Sequence, residues 1–253
     1  MIWASLINLA YVAAAILFIF GIKMLSSAAT ARRGNMVSSL GMLLAVVVTL
    51  LDENILGFRW LILCVLIGAI IGSFAARFVK MTGMPELVAL FNGFGGLASL
   101  LVGWAEYEKI MEISWMDYSG NSYFYSSVIY LAVLIGGITF TGSILAYGKL
   151  SEKIGSKAVI FPGQMIFNSF IFVIIVFLGI YFVFQPDSEY AYKFFLVGLS
   201  LSLLLGILGV IPIGGGDMPV VISLLNSFSG LAAAAAGFVI LNNGLIVAGC
   251  LVG

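Results

Sequence analysis

Histidine is missing from this sequence altogether. Its absence excludes imidazole metal sites, and it excludes the commonest general base. Cysteine is nearly absent. Cys64 and Cys250 both fall inside apolar runs, where buried thiols at lipid depth are expected, not a disulfide or a redox pair. Charge is scarce as well, at 9% of residues, whereas a soluble domain carries about 25%. So few charges could not cover a globular surface. Lys plus Arg and Asp plus Glu are equal at 11 each, which leaves no electrostatic footprint for nucleic acid. No loop exceeds about 25 residues, so a soluble catalytic domain has no room. Neither Gly214-Gly215-Gly216 nor Gly93-Phe94-Gly95-Gly96 has the spacing or the strand–helix setting of a dinucleotide fingerprint. No cofactor-binding residue and no metal ligand is therefore expected within the chain.

What remains is apolar. Hydrophobic residues make up 62% of the 253, the mean hydropathy is +1.20, and there are 30 glycines. A membrane-spanning helix needs about 20 mostly apolar residues. Such runs occur at 3–22, 35–51, 58–79, 84–104, 125–147, 165–185, 192–212, 218–238 and 240–253. The reading is an all-α integral membrane protein, a polytopic bundle of about nine transmembrane helices. The ninth run is short and reads as truncated, the visible part of a longer chain. The first resembles a signal peptide only superficially: no Lys or Arg precedes it, and it is too long for such a core. Assigning loops alternately to two sides puts Lys23, Arg32, Arg33, Arg77, Lys80, Lys149, Lys153 and Lys157 on one side. Arg59, Lys109 and Lys193 fall on the other, with Glu106, Glu108, Glu112 and Asp117. The more basic side is expected to be cytoplasmic, with the N-terminus outside and the C-terminus inside. Trp104, Tyr107, Trp115, Tyr118, Tyr123 and Tyr125 suit an interfacial belt at the acidic end.

The chain also repeats itself. Met84-Pro85-Glu86-Leu87-Val88-Ala89-Leu90-Phe91-Asn92-Gly93-Phe94-Gly95-Gly96-Leu97-Ala98 returns, without a gap, as Met218-Pro219-Val220-Val221-Ile222-Ser223-Leu224-Leu225-Asn226-Ser227-Phe228-Ser229-Gly230-Leu231-Ala232, an offset of 134 residues. Apolar bias alone does not supply a matched Pro and Asn. Each copy closes a set of four helices, so the repeat is parallel, not inverted. The halves are about 1–104 and 125–238, giving four plus four plus one.

Candidate functional residues follow from the repeat. Asn92, Gly96, Ser99 and Gly103 lie at helical spacing on one face, as do Asn226, Gly230, Ala233 and Gly237. Small residues admit a neighbouring helix, so these stripes should face protein and not lipid. At ~1.5 Å per residue, Asn92 lies about 12 Å inside its helix. A carboxamide at that depth either bonds neighbouring helices together or lines a conduction path. Glu86 and Asp217 stand in the first turns of the two helices. Each is either a cap on the helix dipole or a proton acceptor at a pathway mouth, which the adjoining Gly214-Gly215-Gly216 would make mobile. The fifth helix adds Gly136, Thr139 and Ser143 on one face. Asn168 and Ser169 are isolated and receive no role.

The stretch from Gly214 to Gly237, together with Thr139-Phe140-Thr141-Gly142-Ser143, Gly148-Lys149-Leu150 and Met84-Pro85-Glu86-Leu87-Val88-Ala89, resembles the membrane domain of the beta subunit of proton-translocating NAD(P) transhydrogenase. The resemblance implies proton translocation coupled to hydride transfer from NADH to NADP+. It implies an alpha subunit that holds NAD(H) and an NADP(H)-binding domain that follows the last helix and is absent here. It further implies a dimer of protomers and a bacterial-type cytoplasmic (inner) membrane location. Ser143, Asp217 and Asn226 match positions that the family uses in conduction or coupling, and Asn92, Glu86, Thr139 and Ser99 join them as path candidates. Asn92 departs from the family, many of whose members carry a membrane histidine there. Since an amide cannot titrate near neutral pH, the protonatable group would lie elsewhere, with a partner-subunit histidine the working hypothesis. Two rival classes are a small-solute secondary transporter and a structural membrane anchor.

Overall fold

The computed structural model describes residues 2–51, 58–113 and 121–253. Its helices are α1 Ile2–Leu25, α2 Ala31–Leu50, α3 Phe58–Phe78, α4 Met84–Ile113, α5 Ser122–Leu150, α6 Gln164–Phe184, α7 Ala191–Val210, α8 Met218–Val239 and α9 Asn243–Val252. Among the described residues, eight of these are long and apolar enough to cross a membrane, while α9 is shorter. The class and helix positions agree with the sequence reading, because backbone groups in lipid must bond within their own segment and apolar runs of this length become helices.

One boundary differs. α4 continues through Ile113, so Glu106 and Glu108 stand on helix, not in a loop. Hydropathy marks where a helix leaves the hydrocarbon, not where its hydrogen bonds end. On this extension Trp104 Nε1 donates to Glu108 Oε1 at 3.0 Å, and Lys109 pairs with Glu106 at 3.3 Å. Tyr107 and Tyr125 are buried instead of forming a belt. Tyr107 stacks on Phe195, with ring centroids 4.7 Å apart. Trp115, Asp117 and Tyr118 lie outside the described residues. Cys64 and Cys250 are exposed on their helices, which corrects the expectation of burial: an apolar run does not tell which of its faces meets protein.

The chain divides into two compact units, 1–80 and 81–253. In the first, α1 and α2 pack as an antiparallel hairpin. A Cβ added at Gly34 would lie 2.9 Å from the Gly21 carbonyl. At the other end of the pair, the Tyr11 and Thr49 hydroxyls share a hydrogen bond of 2.8 Å. No residue of α3 from Arg59 to Phe78 is buried.

In the second unit α5 is the hub, packed on α4, α6, α7 and α8, while α8 also packs on α4 and α9. Tyr130 wedges α5 against α6 and α7 at sites kept open by Gly179 and Gly198, and its hydroxyl donates to the Ile175 carbonyl at 2.8 Å. Thr141 Oγ1 donates to the Leu203 carbonyl at 2.7 Å, joining α5 to α7. α4 and α8 each follow a single 3₁₀ turn, Met81–Gly83 and Gly215–Asp217. These turns share the register of the repeated sequence.

Candidate functional site

The site forms where α4 and α5 cross without side chains between them. A Cβ on Gly136 would lie 2.6 Å from the Gly96 carbonyl, and one on Gly96 would lie 2.8 Å from both the Gly136 carbonyl and Thr139 Cβ. Only glycine at both positions permits this approach, which is what the stripe of small residues implied. One turn nearer the start of α4, Asn92 Nδ2 donates to Ser143 Oγ at 2.9 Å, with both residues buried.

Thr139 and Ser99 are also buried, but their hydroxyls turn back on their own helices. Thr139 Oγ1 donates to the Ile135 carbonyl at 2.7 Å, and Ser99 Oγ donates to the Gly95 carbonyl at 3.3 Å. Such back-bonding satisfies a hydroxyl in an apolar setting without reaching across. Asn92 and Ser143 therefore form the cross-helix pair, flanked by two self-satisfied hydroxyls on the same faces.

The second stripe packs as well, but on a different partner. Gly230 and Gly237 receive α9, with Ala234 between them in place of the expected Ala233: a Cβ at Gly237 would meet the Ile246 backbone at 2.7 Å, and one at Gly249 would lie 2.7 Å from the Gly230 carbonyl. Asn226 is exposed. α8 also borders α4, where a Cβ on Gly95 would lie 3.1 Å from Ser229 Oγ. Counting three residues back along each of these helices sets Asn92 and Asn226 at matching register.

Of the two first-turn carboxylates, Asp217 is exposed at the N-cap of α8 and makes no side-chain cap bond. Glu86 is half-buried in the first turn of α4. Its charge adds to a hydrogen bond from Lys153 to the Tyr147 hydroxyl, 2.6 Å, and that bond above all raises the affinity of the Lys153 amine for its proton. The glycine run before Asp217 is tethered, since Gly215 N–H donates to the Ser156 carbonyl at 2.8 Å.

Three polar residues take partners that the sequence did not announce, among them Asn168, which is not isolated as expected. Lys149, read above as a loop charge and as part of Gly148-Lys149-Leu150, is 1% exposed and donates to the Ile211 and Ile213 carbonyls, each at 2.6 Å. Gln164 and Asn168, one turn apart on α6, both donate to the Leu208 carbonyl, at 3.4 and 3.3 Å. The signal was Pro212. Proline has no N–H, so the carbonyl four residues before it lacks its helical donor, and Leu208 is that residue.

Fold and site together define a polytopic helical membrane protein whose core holds an amide–hydroxyl pair on a glycine-lined seam. The family model for the NAD(P) transhydrogenase beta subunit matches residues 7–253. Two relatives named NAD(P) transhydrogenase subunit beta, both from Rhodospirillum rubrum, are each 40% identical over 250 residues, 98% of this chain and 53% of their own length. The chain belongs to the NAD(P) transhydrogenase beta-subunit family, and it spans about half the length of the curated relatives it matches.

Proposed function

We propose that this chain is the membrane-embedded part of a transhydrogenase beta subunit and conducts protons in step with hydride transfer from NADH to NADP+. Hydride transfer itself belongs to other domains: an NADP(H)-binding domain of the same subunit and an alpha subunit holding NAD(H). The reading extends to a dimer of such protomers in a bacterial-type inner membrane, N-terminus outside and C-terminus in the cytoplasm. The observation that supports it most is the buried Asn92–Ser143 pair on the seam between α4 and α5.

Neither group of that pair titrates near neutral pH, so the pair relays protons through its hydroxyl and amide and through intervening water, and does not store one. Protonatable groups must stand elsewhere along the path. Asp217 and Glu86 stand in the first turns of α8 and α4, and the partner subunit supplies a histidine at midplane. Helices α4, α5, α8 and α9 form one contiguous packed set, with Asn226 continuing the path on α8.

The test is proton uptake by the complete enzyme in liposomes during hydride transfer. Asn92→Leu and Asn226→Leu should each lose pumping and coupled turnover together while retaining nucleotide binding. Unchanged pumping in both would leave the two carboxamides as packing contacts and sink the assignment.

A further inference from the structure

Lys149 has a setting that neither hydropathy nor the polar pair explains. It sits in the last turn of α5, fully buried. A buried ammonium is costly, and replacing such groups with apolar ones is often neutral or stabilising. Stability alone is thus a weak reason for its presence. A lysine here can do what leucine cannot: donate to two carbonyls at once at the negative end of a helix.

Those carbonyls, Ile211 and Ile213, straddle Pro212 between α7 and the 3₁₀ turn that opens α8. The junction is fastened from three directions. Lys149 holds Ile211 and Ile213. Gln164 and Asn168 of α6 hold Leu208. The segment after α5 closes a ring, because Val159 N–H donates to the Ile211 carbonyl at 3.2 Å and Gly215 N–H to the Ser156 carbonyl at 2.8 Å. Ser156 Oγ in turn donates to the Lys149 carbonyl at 3.2 Å. Four residues beyond Ile213 stands Asp217.

Lys149 and Ser143 belong to the same helix, six residues or about 9 Å apart. A shift of α5 that strained the Asn92–Ser143 bond would therefore pull on the Lys149 contacts too. We propose that Lys149 is a positioning residue, a cationic clasp that ties the α7–α8 junction, and with it Asp217, to the helix bearing Ser143. The coupling role rests on the proton-conducting reading above; the clasp itself does not.

The test uses the complete enzyme with its alpha subunit, reconstituted in liposomes, as wild type, Lys149→Met and Lys149→Arg. Two quantities are read: hydrogen exchange of the amides of residues 213–217, and protons moved per hydride transferred. In Lys149→Met the amides of Gly215 and Asp217 should exchange roughly tenfold faster, and the proton-to-hydride ratio should fall roughly twofold or more. Lys149→Arg, which keeps charge and donors, should hold both near wild type. A simple loss of folded enzyme lowers both fluxes together and leaves their ratio alone. Unchanged exchange in Lys149→Met overturns the clasp, and faster exchange with an unchanged ratio overturns its part in coupling. If the Met variant does not assemble, Lys149→Gln, which retains donors without charge, is read against the same two criteria. A wild type that moves no protons would refute the functional reading, and the exchange data would still decide the clasp.

Discussion

Removing the Asn92–Ser143 hydrogen bond tests whether the seam is an energetic unit. The pair spans 2.9 Å between two buried residues, Asn92 at 8% exposure and Ser143 at 0%. In a soluble core, leaving such an amide unpaired costs about 1–3 kcal/mol. Between membrane helices, measured couplings average only about 0.6 kcal/mol and reach about 1.7, because the unfolded chain in lipid also finds partners. The tight crossing at Gly96 and Gly136 leaves little freedom to find substitutes, which argues for the upper part of that range, about 1–1.5 kcal/mol. The assay is a double-mutant cycle of Asn92→Ala, Ser143→Ala and the double variant, by denaturant unfolding of the full-length subunit in mixed micelles. The cycle cancels the cavity left by Asn92→Ala and isolates the pair. A coupling below about 0.3 kcal/mol, within the usual error of additivity, would refute the claim that these two side chains act together.

Other expectations are as direct. Gly136→Val forces methyl groups into a space where even a Cβ would lie 2.6 Å from the Gly96 carbonyl; destabilisation of about 1–3 kcal/mol or more should appear as a lowered melting temperature of the complex in detergent. Tyr130→Phe removes the donor to the Ile175 carbonyl while keeping the ring between Gly179 and Gly198, and should cost about 0.5–1.5 kcal/mol in the same assay. Gly163 precedes α6 at φ 79°, in the left-handed region, so Gly163→Val should destabilise by about 1–2 kcal/mol. For orientation, a cysteine replacing Lys157 should react with a membrane-impermeant maleimide from the cytoplasmic side, and one replacing Lys109 from the opposite side; the reverse pattern would invert the topology.

How much of this was legible in the sequence depends on which physical property each feature uses. Helix positions were legible because lipid forces every apolar run of sufficient length to satisfy its own backbone. The Asn92 stripe was legible too, since glycines at helical spacing announce a close approach. The partner helix was not: nothing in Asn92, Gly96 and Gly103 says whether α5 or another helix fills the space, and the matching stripe on α8 takes α9 instead. Nor was burial around α3, whose apolar residues read like those of α5 yet none of which, from Arg59 to Phe78, is buried.

Lys149 shows the deeper limit. Counting it toward a basic side treats a lysine as a charge that belongs in water, and for most lysines near a helix end that holds. The exception arises where a neighbouring backbone, far away in sequence, ends a helix and leaves carbonyls without intrahelical donors. A helix end leaves its last carbonyls without intrahelical partners, and a proline there also removes the N–H that would serve the carbonyl four residues earlier. Gln164 and Asn168 donate to Leu208, the carbonyl that Pro212 frees, and Lys149 donates to Ile211 and Ile213 at the helix end. Polar residues on apolar helices are thus best read first against the prolines of their neighbours. By that criterion Asn168 is a repair for a missing N–H. Asn92 faces no proline-freed carbonyl: its amide meets a hydroxyl, Ser143, so backbone satisfaction does not explain its presence.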